Sequence, residues 1–391
     1  MSLWWAKKEQ LDKHQLKLIE KMPLGESSLI LGPPGSGKTN VLLRRAQFVR
    51  TQEMPNVLVL TFTRALTEFI KTGCLDAQAR EIFPRSFVMT IESWLRSLYS
   101  QHREDLPEEK EKLIERKKLL ADGARAFQER GYLPKYDALF VDEAQDLVKE
   151  EIELLAQWSP VLCFVGDSRQ KIFKESDGLE ALKVTIPSLH EYVLPFHYRL
   201  SPVICRMADR ILASQAGSSL EESSHYEGPK PGRVRATGPL SRSAQLESVA
   251  ANLRDQVRVY ADRILQGDRL GVVVARAADR DVVLNYLEQD EKLRGKSKIV
   301  RAREINESDY DPTLDVETPI CIITVAGCKG LEFRALHWPF CEELSYYHDN
   351  EVYYTVVTRA KTSLDLYYAT ELPPALARGY AETGGDIWET A

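Results

Sequence analysis

Long apolar runs are missing from this 391-residue chain: none approaches the ~20 residues that a membrane-spanning helix needs. Nor does the opening Met1-Ser2-Leu3-Trp4-Trp5-Ala6-Lys7-Lys8 follow the charged-then-apolar order of an export signal, so a cytoplasmic protein with no membrane partner is expected. Paired cysteine motifs are absent too. Cys74, Cys163, Cys205, Cys321, Cys328 and Cys341 show no Cys-x-x-Cys spacing, and several sit in apolar runs such as Leu162-Cys163-Phe164-Val165. Buried, reduced thiols are expected, not disulfides or zinc ligands. There is no excess of positive charge, since 52 Lys and Arg face 58 Asp and Glu for a net −6. That balance excludes binding nucleic acid through the whole surface, so any such contact must come from a local groove. Internal repeats and low-complexity tracts are also lacking.

What is present is an alternation of strand-like and helical stretches. Ser28–Leu31, Val57–Phe62, Phe87–Thr90, Ala138–Val141 and Val161–Val165 form a first series, and Arg233–Ala236, Leu270–Val274, Ile320–Val325 and Leu364–Tyr368 a second. Such alternation predicts parallel α/β sheets, here in two halves at 1–195 and 196–391. Ser214–Gly232 is rich in Ser, Glu, Gly and Pro and reads as a long exposed loop. Residues 101–130 are densely charged, with apolar positions at Leu113, Ile114, Leu119 and Leu120, and read as a small helical insertion with a solvated face. The Trp4-Trp5 pair is expected to pack on its own domain, with a partner-docking anchor as the alternative.

The first half carries a phosphate-binding pattern. Gly32-Pro33-Pro34-Gly35-Ser36-Gly37-Lys38-Thr39, with Asn40 after it, follows the strand Leu29-Ile30-Leu31 and precedes the helix-forming Val41-Leu42-Leu43-Arg44-Arg45. Glycines let backbone N–H groups turn inward around phosphates, and the helix N-terminus adds positive potential. Lys38 would reach the β and γ phosphates, and Thr39 would ligate Mg²⁺. At the exit of the Ala138–Val141 strand stand Asp142 and Glu143. The first suits Mg²⁺, and the second can orient and deprotonate an attacking water. Gln170, after Phe164-Val165-Gly166-Asp167, is a neutral amide that can sense the γ-phosphate. These segments predict a nucleoside triphosphatase using ATP and Mg²⁺.

From residue 11 to about 368, the order of segments resembles superfamily 1 helicases of the UvrD/Rep/PcrA type. Leu11-Asp12-Lys13-His14-Gln15 is similar to the short motif ahead of the P-loop, with Gln15 reading adenine. Thr61-Phe62-Thr63-Arg64 and Thr90-Ile91-Glu92-Ser93 resemble motifs Ia and Ib, which implies nucleic-acid contacts from Phe62, Thr63, Arg64, Thr90 and Ser93. Val141–Asp146 resembles the DExx box, and Gly166–Gln170 motif III. His197-Tyr198-Arg199-Leu200-Ser201 resembles motif IV, implying a Tyr198 that stacks on adenine and an Arg199 at the γ-phosphate. Thr324–Phe333 resembles motif V with Glu332 on the ribose, and Tyr354–Lys361 motif VI with Arg359 as a second arginine finger.

The resemblance implies two RecA-like P-loop domains with parallel sheets. It also implies an ATP-dependent translocase or helicase moving 3′ to 5′ on single-stranded or partly duplex DNA, in DNA repair or phage defence. Arginines from the second half would engage ATP as an interdomain cleft closes. The strand side departs from the family's pattern: Glu175 falls where an aromatic is usual, and Ala326 and Glu92 where histidines are. The first insertion is small, and the large second one is absent or reduced to about Glu288–Thr318, which makes the chain a near-minimal motor. An alternative is an ATP-gated nucleic-acid-sensing subunit that regulates a partner nuclease or other effector in a defence complex.

Overall fold

The computed structural model describes residues 5–76, 78–108, 110, 112–129, 136–171, 177–213, 219–301, 316–344 and 350–381. Glu175 and the span 302–315 therefore lie outside the described residues, as does Trp4. The chain divides into two compact units, one of 5–33 with 37–195 and one of 196–391 with 34–36.

The first unit runs α1 (Lys13–Glu20), β1 (Ser28–Leu31), α2 (Lys38–Arg50), β2 (Val57–Thr61), α3 (Arg64–Thr72), β3 (Val88–Thr90), α4 (Ile91–His102), α5 (Leu113–Glu129), β4 (Ala138–Val141), α6 (Lys149–Trp158), β5 (Leu162–Gly166), α7 (Gly178–Thr185) and β6 (His190–Val193). Its six strands are ordered β3-β2-β4-β5-β1-β6, and every pairing is parallel. Strand side chains alternate between faces, and the sequence uses both. Leu29, Leu58, Leu60, Leu139, Val141, Leu162 and Phe164 pack one way, against α4, α5 and α6. Ile30, Val57, Val59, Phe140, Cys163 and Val165 pack the other way, against α1, α2 and α3. The result is a helix–sheet–helix sandwich.

The 101–130 segment, expected as a small helical insertion with a solvated face, contains α5, whose Glu115, Lys118 and Asp122 are exposed while its other face is buried. Helix α5 buries Ile114, Leu120, Ala121, Ala124 and Phe127, while Leu119 is exposed. The inward stripe also holds Arg116 and Lys117, and those charges disguised its burial. Strand β6 escaped notice because it is a short, largely exposed edge strand, His190-Glu191-Tyr192-Val193, with no apolar run. Trp5 docks on its own unit as expected, its ring stacked 5.3 Å from Phe69 and its indole N–H donating to Thr72 Oγ1 at 2.9 Å.

The second unit contains α8 (Pro202–Ile211), β7 (Arg233–Thr237), α9 (Arg242–Val259), α10 (Ala261–Leu265), β8 (Leu270–Val274), α11 (Ala277–Glu288), β9 (Ser297–Ile299), β10 (Ile320–Thr324), β11 (Phe333–Trp338), α12 (Asn350–Val357), β12 (Ala360–Tyr367) and α13 (Pro374–Tyr380). Its sheet, β7-β12-β11-β8-β10-β9, is again wholly parallel. Two parallel six-stranded sheets are the α/β class expected for two RecA-like domains. Residues 288–301 build the edge strand β9 and its approach, so they belong to the sheet and not to an inserted domain.

Strand β11 was hidden in sequence by Arg334 and His337, both of which are buried. His337 is satisfied by Tyr367 OH at 3.0 Å and Gln256 Oε1 at 2.7 Å, and burial pushes its imidazole down to about 4. A neutral ring can thus occupy a strand interior. The described part of Ser214–Gly232, from residue 219 on, is not simply an exposed loop either. Leu220 is buried, its carbonyl lies 2.6 Å from His197 Nε2, and Tyr226 reaches Thr362 Oγ1 at 2.7 Å. All six cysteines are free and buried, and burial raises the thiols of Cys74 and Cys163 to about 12 and about 11.

Candidate active site

The P-loop connects β1 to α2. Gly37 is the cap residue of α2 and has φ +83°, and Gly35 has φ +74°, a left-handed conformation that favours glycine. A side chain at Gly37 would also press on Gln15, whose Nε2 would lie 2.8 Å from its Cβ. Gln15 is held there by a capping box on α1: its Oε1 accepts from Asp12 N at 3.1 Å and its own N–H donates to Asp12 Oδ1 at 2.8 Å. The sequence-predicted adenine reader is therefore buried and set beside the loop. Lys38 Nζ donates to the Gly32 and Pro33 carbonyls at 2.8 and 3.0 Å, which stations its charge inside the loop. Ser36 and Asn40 are buried nearby.

The strand order explains how the carboxylates arrive. β5 lies between β1 and β4, and all three point the same way, so their C-terminal ends bring together the P-loop, the Gly166–Gln170 turn and Asp142-Glu143. Thr39 Oγ1 donates to Asp142 Oδ2 at 2.7 Å. A hydroxyl and a carboxylate side by side are the hard oxygen donors that Mg²⁺ takes, so these two residues could hold it. Burial first, and the neighbouring Glu143 charge second, push the Asp142 carboxyl above its ordinary range, while Thr39, the Glu143 N–H and Lys38 pull the other way. A divalent cation would relieve that penalty.

Among the described residues Glu143 is one of few non-glycines with positive φ, at +55°, a left-handed setting that residues with a side chain rarely adopt. Gln145 Nε2 donates to Glu143 Oε2 at 2.5 Å, while Gln145 Oε1 accepts from Asp167 N at 3.1 Å. Gln145 thus ties the candidate water-activating carboxylate to the turn that carries Gln170, itself buried. From sequence alone Gln145 is assigned no role; the local signal for one is an amide two residues after the acid, while its burial and its Asp167 partner belong to the fold.

In the second unit, Arg199 NH1 pairs with Glu332 Oε1 at 2.9 Å. Burial would raise the Glu332 carboxyl, but Arg199, Lys361 and Arg359 outweigh it and hold it low. Arg359 is buried, with Nε donating to the Thr355 carbonyl at 3.0 Å. Tyr198, half-buried with its ring 5.8 Å from His225, lines a cleft of about 240 Å³ with Arg199, Arg263, Arg334, Lys361 and Asp268. Asp268 was not anticipated. Its Oδ2 takes Arg334 Nε at 2.7 Å and its Oδ1 takes Lys361 Nζ at 2.8 Å. The partners respond in opposite senses: Asp268 is held low against the pull of burial, whereas burial drives Lys361 down to about 8 despite Asp268 and Glu332. The cleft's lining sets Arg199, Arg263, Arg334 and Lys361 against the carboxylates Asp268 and Glu227, an excess of basic groups that suits an anion.

The expected strand-contacting residues occupy two helix starts. Thr63 Oγ1 caps α3 by accepting from Leu66 N at 3.2 Å, and Thr90 Oγ1 caps α4 by accepting from Ser93 N at 3.0 Å. Their hydroxyls are thereby engaged, but the helix N-termini beside the adjacent strands β2 and β3 remain the kind of place where phosphates bind. Arg64 opens α3, and Phe62 is half-buried just ahead of it.

Residues 15–175 match the family model described as AAA domain. Over that span the chain is similar to this P-loop family. F-box DNA helicase 1 of Gallus gallus is 27% identical over 139 residues, which covers 30% of this chain and 14% of that protein. The chain thus spans about 14% of the length of this curated relative. Together the two matches support a helicase-like P-loop domain, of a kind that implies nucleotide binding. No helix among the described residues is long and apolar enough to cross a membrane, and no group of three or more His, Cys, Asp or Glu among them could form a separate metal centre.

Proposed function

We propose that this protein is an ATP-hydrolysing motor, a compact member of the UvrD/Rep/PcrA type, that moves 3′ to 5′ along single-stranded DNA in the cytoplasm, in DNA repair or phage defence. Its two RecA-like domains would be 1–195 and 196–391. The observation that carries the proposal is the Thr39–Asp142 contact at 2.7 Å, with Glu143 next in sequence and oriented by Gln145. In this reading Lys38 and the loop Gly32–Asn40 bind the phosphates, Gln15 and Tyr198 the adenine, and Glu332 the ribose. Thr39 and Asp142 hold Mg²⁺, which would screen charge on the β and γ phosphates. Glu143 orients and deprotonates the attacking water, Gln170 senses the γ-phosphate, and Arg199 and Arg359 stabilise the charge that develops there. Phe62, Thr63, Arg64, Thr90 and Ser93 contact the strand.

Streptavidin displacement from biotinylated oligonucleotides tests the reading. ATP-dependent displacement from the 3′-to-5′ direction only is expected, and none with Lys38→Ala. Strand-stimulated hydrolysis without displacement from either end would instead favour a regulatory subunit that senses nucleic acid for a nuclease or other effector.

A further inference from the structure

Two consecutive cations on α5, Arg116 and Lys117, are 7% and 8% exposed. Arg116 NH2 reaches Glu92 Oε2 at 3.3 Å, and Glu92 Oε1 also takes Arg96 NH2 at 3.0 Å. Glu92, the acid standing where a strand-contacting histidine was expected, therefore fastens α5 to α4. Lys117 makes three contacts with segments remote from it in sequence. Its ammonium pairs with Glu151 Oε2 at 2.9 Å, donates to the Asp146 carbonyl at 2.7 Å, and lies 5.4 Å from the centroid of the Phe62 ring.

One carboxylate is enough to compensate a buried ammonium, and Glu151 supplies it. The other two contacts do something further: they place one charge against both the aromatic ring of Phe62, which a nucleobase could stack on, and the 144–146 turn. That turn begins directly after Glu143, whose carbonyl accepts Asp146 N at 3.1 Å. We propose that Lys117 is a positioning residue that couples a nucleobase on Phe62 to the setting of Glu143. The inference rests on the motor reading above. A base stacked on Phe62 displaces or polarises the ring, the ammonium follows, and the Asp146 carbonyl follows the ammonium. Because catalysis is sensitive to ångström-scale misplacement, a small adjustment of this turn suffices to change hydrolysis.

The test compares the wild type, Lys117→Arg, and the double variant Lys117→Met with Glu151→Gln, using ATP turnover against oligothymidylate concentration. The double change removes both members of the Lys117–Glu151 ion pair together, and the side-chain amide that Glu151→Gln introduces can still accept the Val148 N–H that Glu151 Oε2 takes at 3.1 Å. The double variant should keep the unstimulated rate and the thermal transition while losing about tenfold or more of the stimulation, and Lys117→Arg should retain most of it. In the wild type, oligothymidylate should change hydrogen exchange at amides 143–146. Full stimulation in the double variant, or parallel loss of the unstimulated rate, overturns the coupling but leaves the motor reading standing. So does unchanged exchange at 143–146 while a strand stimulates turnover. A wild type that no strand stimulates overturns both.

Discussion

Removing Asp268 should unfold the second unit at a markedly lower temperature. Its carboxylate is 6% exposed and is bonded on one oxygen by Arg334 and on the other by Lys361, themselves 8% and 7% exposed. Asp268→Ala leaves both cations buried without their anion. Stranding a buried charge in this way costs about 3–5 kcal/mol. The two cations do not share that cost equally. Lys361 already sits near 8 and can escape by losing its proton, which bounds its part, whereas a guanidinium stays charged. Most of the cost therefore falls on Arg334. For a unit of this size, 1 kcal/mol moves the midpoint by about 2–4 °C, so the expected drop is about 6–20 °C. Calorimetry of the intact chain reads it directly. The double variant Asp268→Asn with Arg334→Met removes the cation that bears most of the cost along with the anion's charge and should recover part of the loss. A midpoint for Asp268→Ala within about 2 °C of the wild type would refute the reasoning.

Three further predictions concern the first unit. Gln145→Met removes the donor that holds Glu143 and the acceptor for Asp167 N, so hydrolysis should fall about tenfold or more with little change in nucleotide affinity, read by comparing turnover with equilibrium binding. A methyl at Gly178 would collide with the Ala144 carbonyl oxygen at the start of α7. Gly178→Ala should therefore cost about 1–3 kcal/mol in denaturant unfolding and lower turnover as well, because the displaced turn follows Glu143. The raised Asp142 carboxyl sets a pH dependence. A group whose folded pKa lies above its unfolded value makes the nucleotide-free protein less stable as pH rises through that interval. Mg²⁺ needs the ionised form, so thermal stabilisation by Mg²⁺ with ADP should be greater at about pH 8 than at about pH 6. Equal stabilisation at both would contradict the assignment of Asp142 as a ligand.

What was legible in the sequence follows from how local each signal is. The P-loop, the carboxylate pair and most central strands are written within a few neighbouring residues, through glycine conformation, apolar runs and strand exits. β1, β4 and β8 coincide with their expected limits. Features that depend on side chains choosing distant partners were not legible. Arg334 and His337 broke the apolar pattern of β11 because nothing nearby reveals Asp268, Tyr367 or Gln256 as their partners. The same holds for α5, whose inward Lys117 finds Glu151 and the Asp146 carbonyl. Gln145 stood in plain sight, but only the parallel neighbours β4 and β5 show that it bridges two turns. The edge strands β6 and β9 lacked the burial that makes a strand recognisable.

The central claim is that Glu143 activates water for an ATP hydrolysis that a nucleic-acid strand stimulates. Its most direct test is phosphate release by the wild type and Glu143→Gln, with and without single-stranded DNA, alongside nucleotide binding. Glutamine is close to isosteric and can still accept from Gln145, so binding should persist while release falls about 10²–10⁴-fold, the size of a lost general base. Strand-stimulated release in the wild type, abolished in the variant with nucleotide still bound, is the predicted result. A variant that releases phosphate at the wild-type rate would contradict the account.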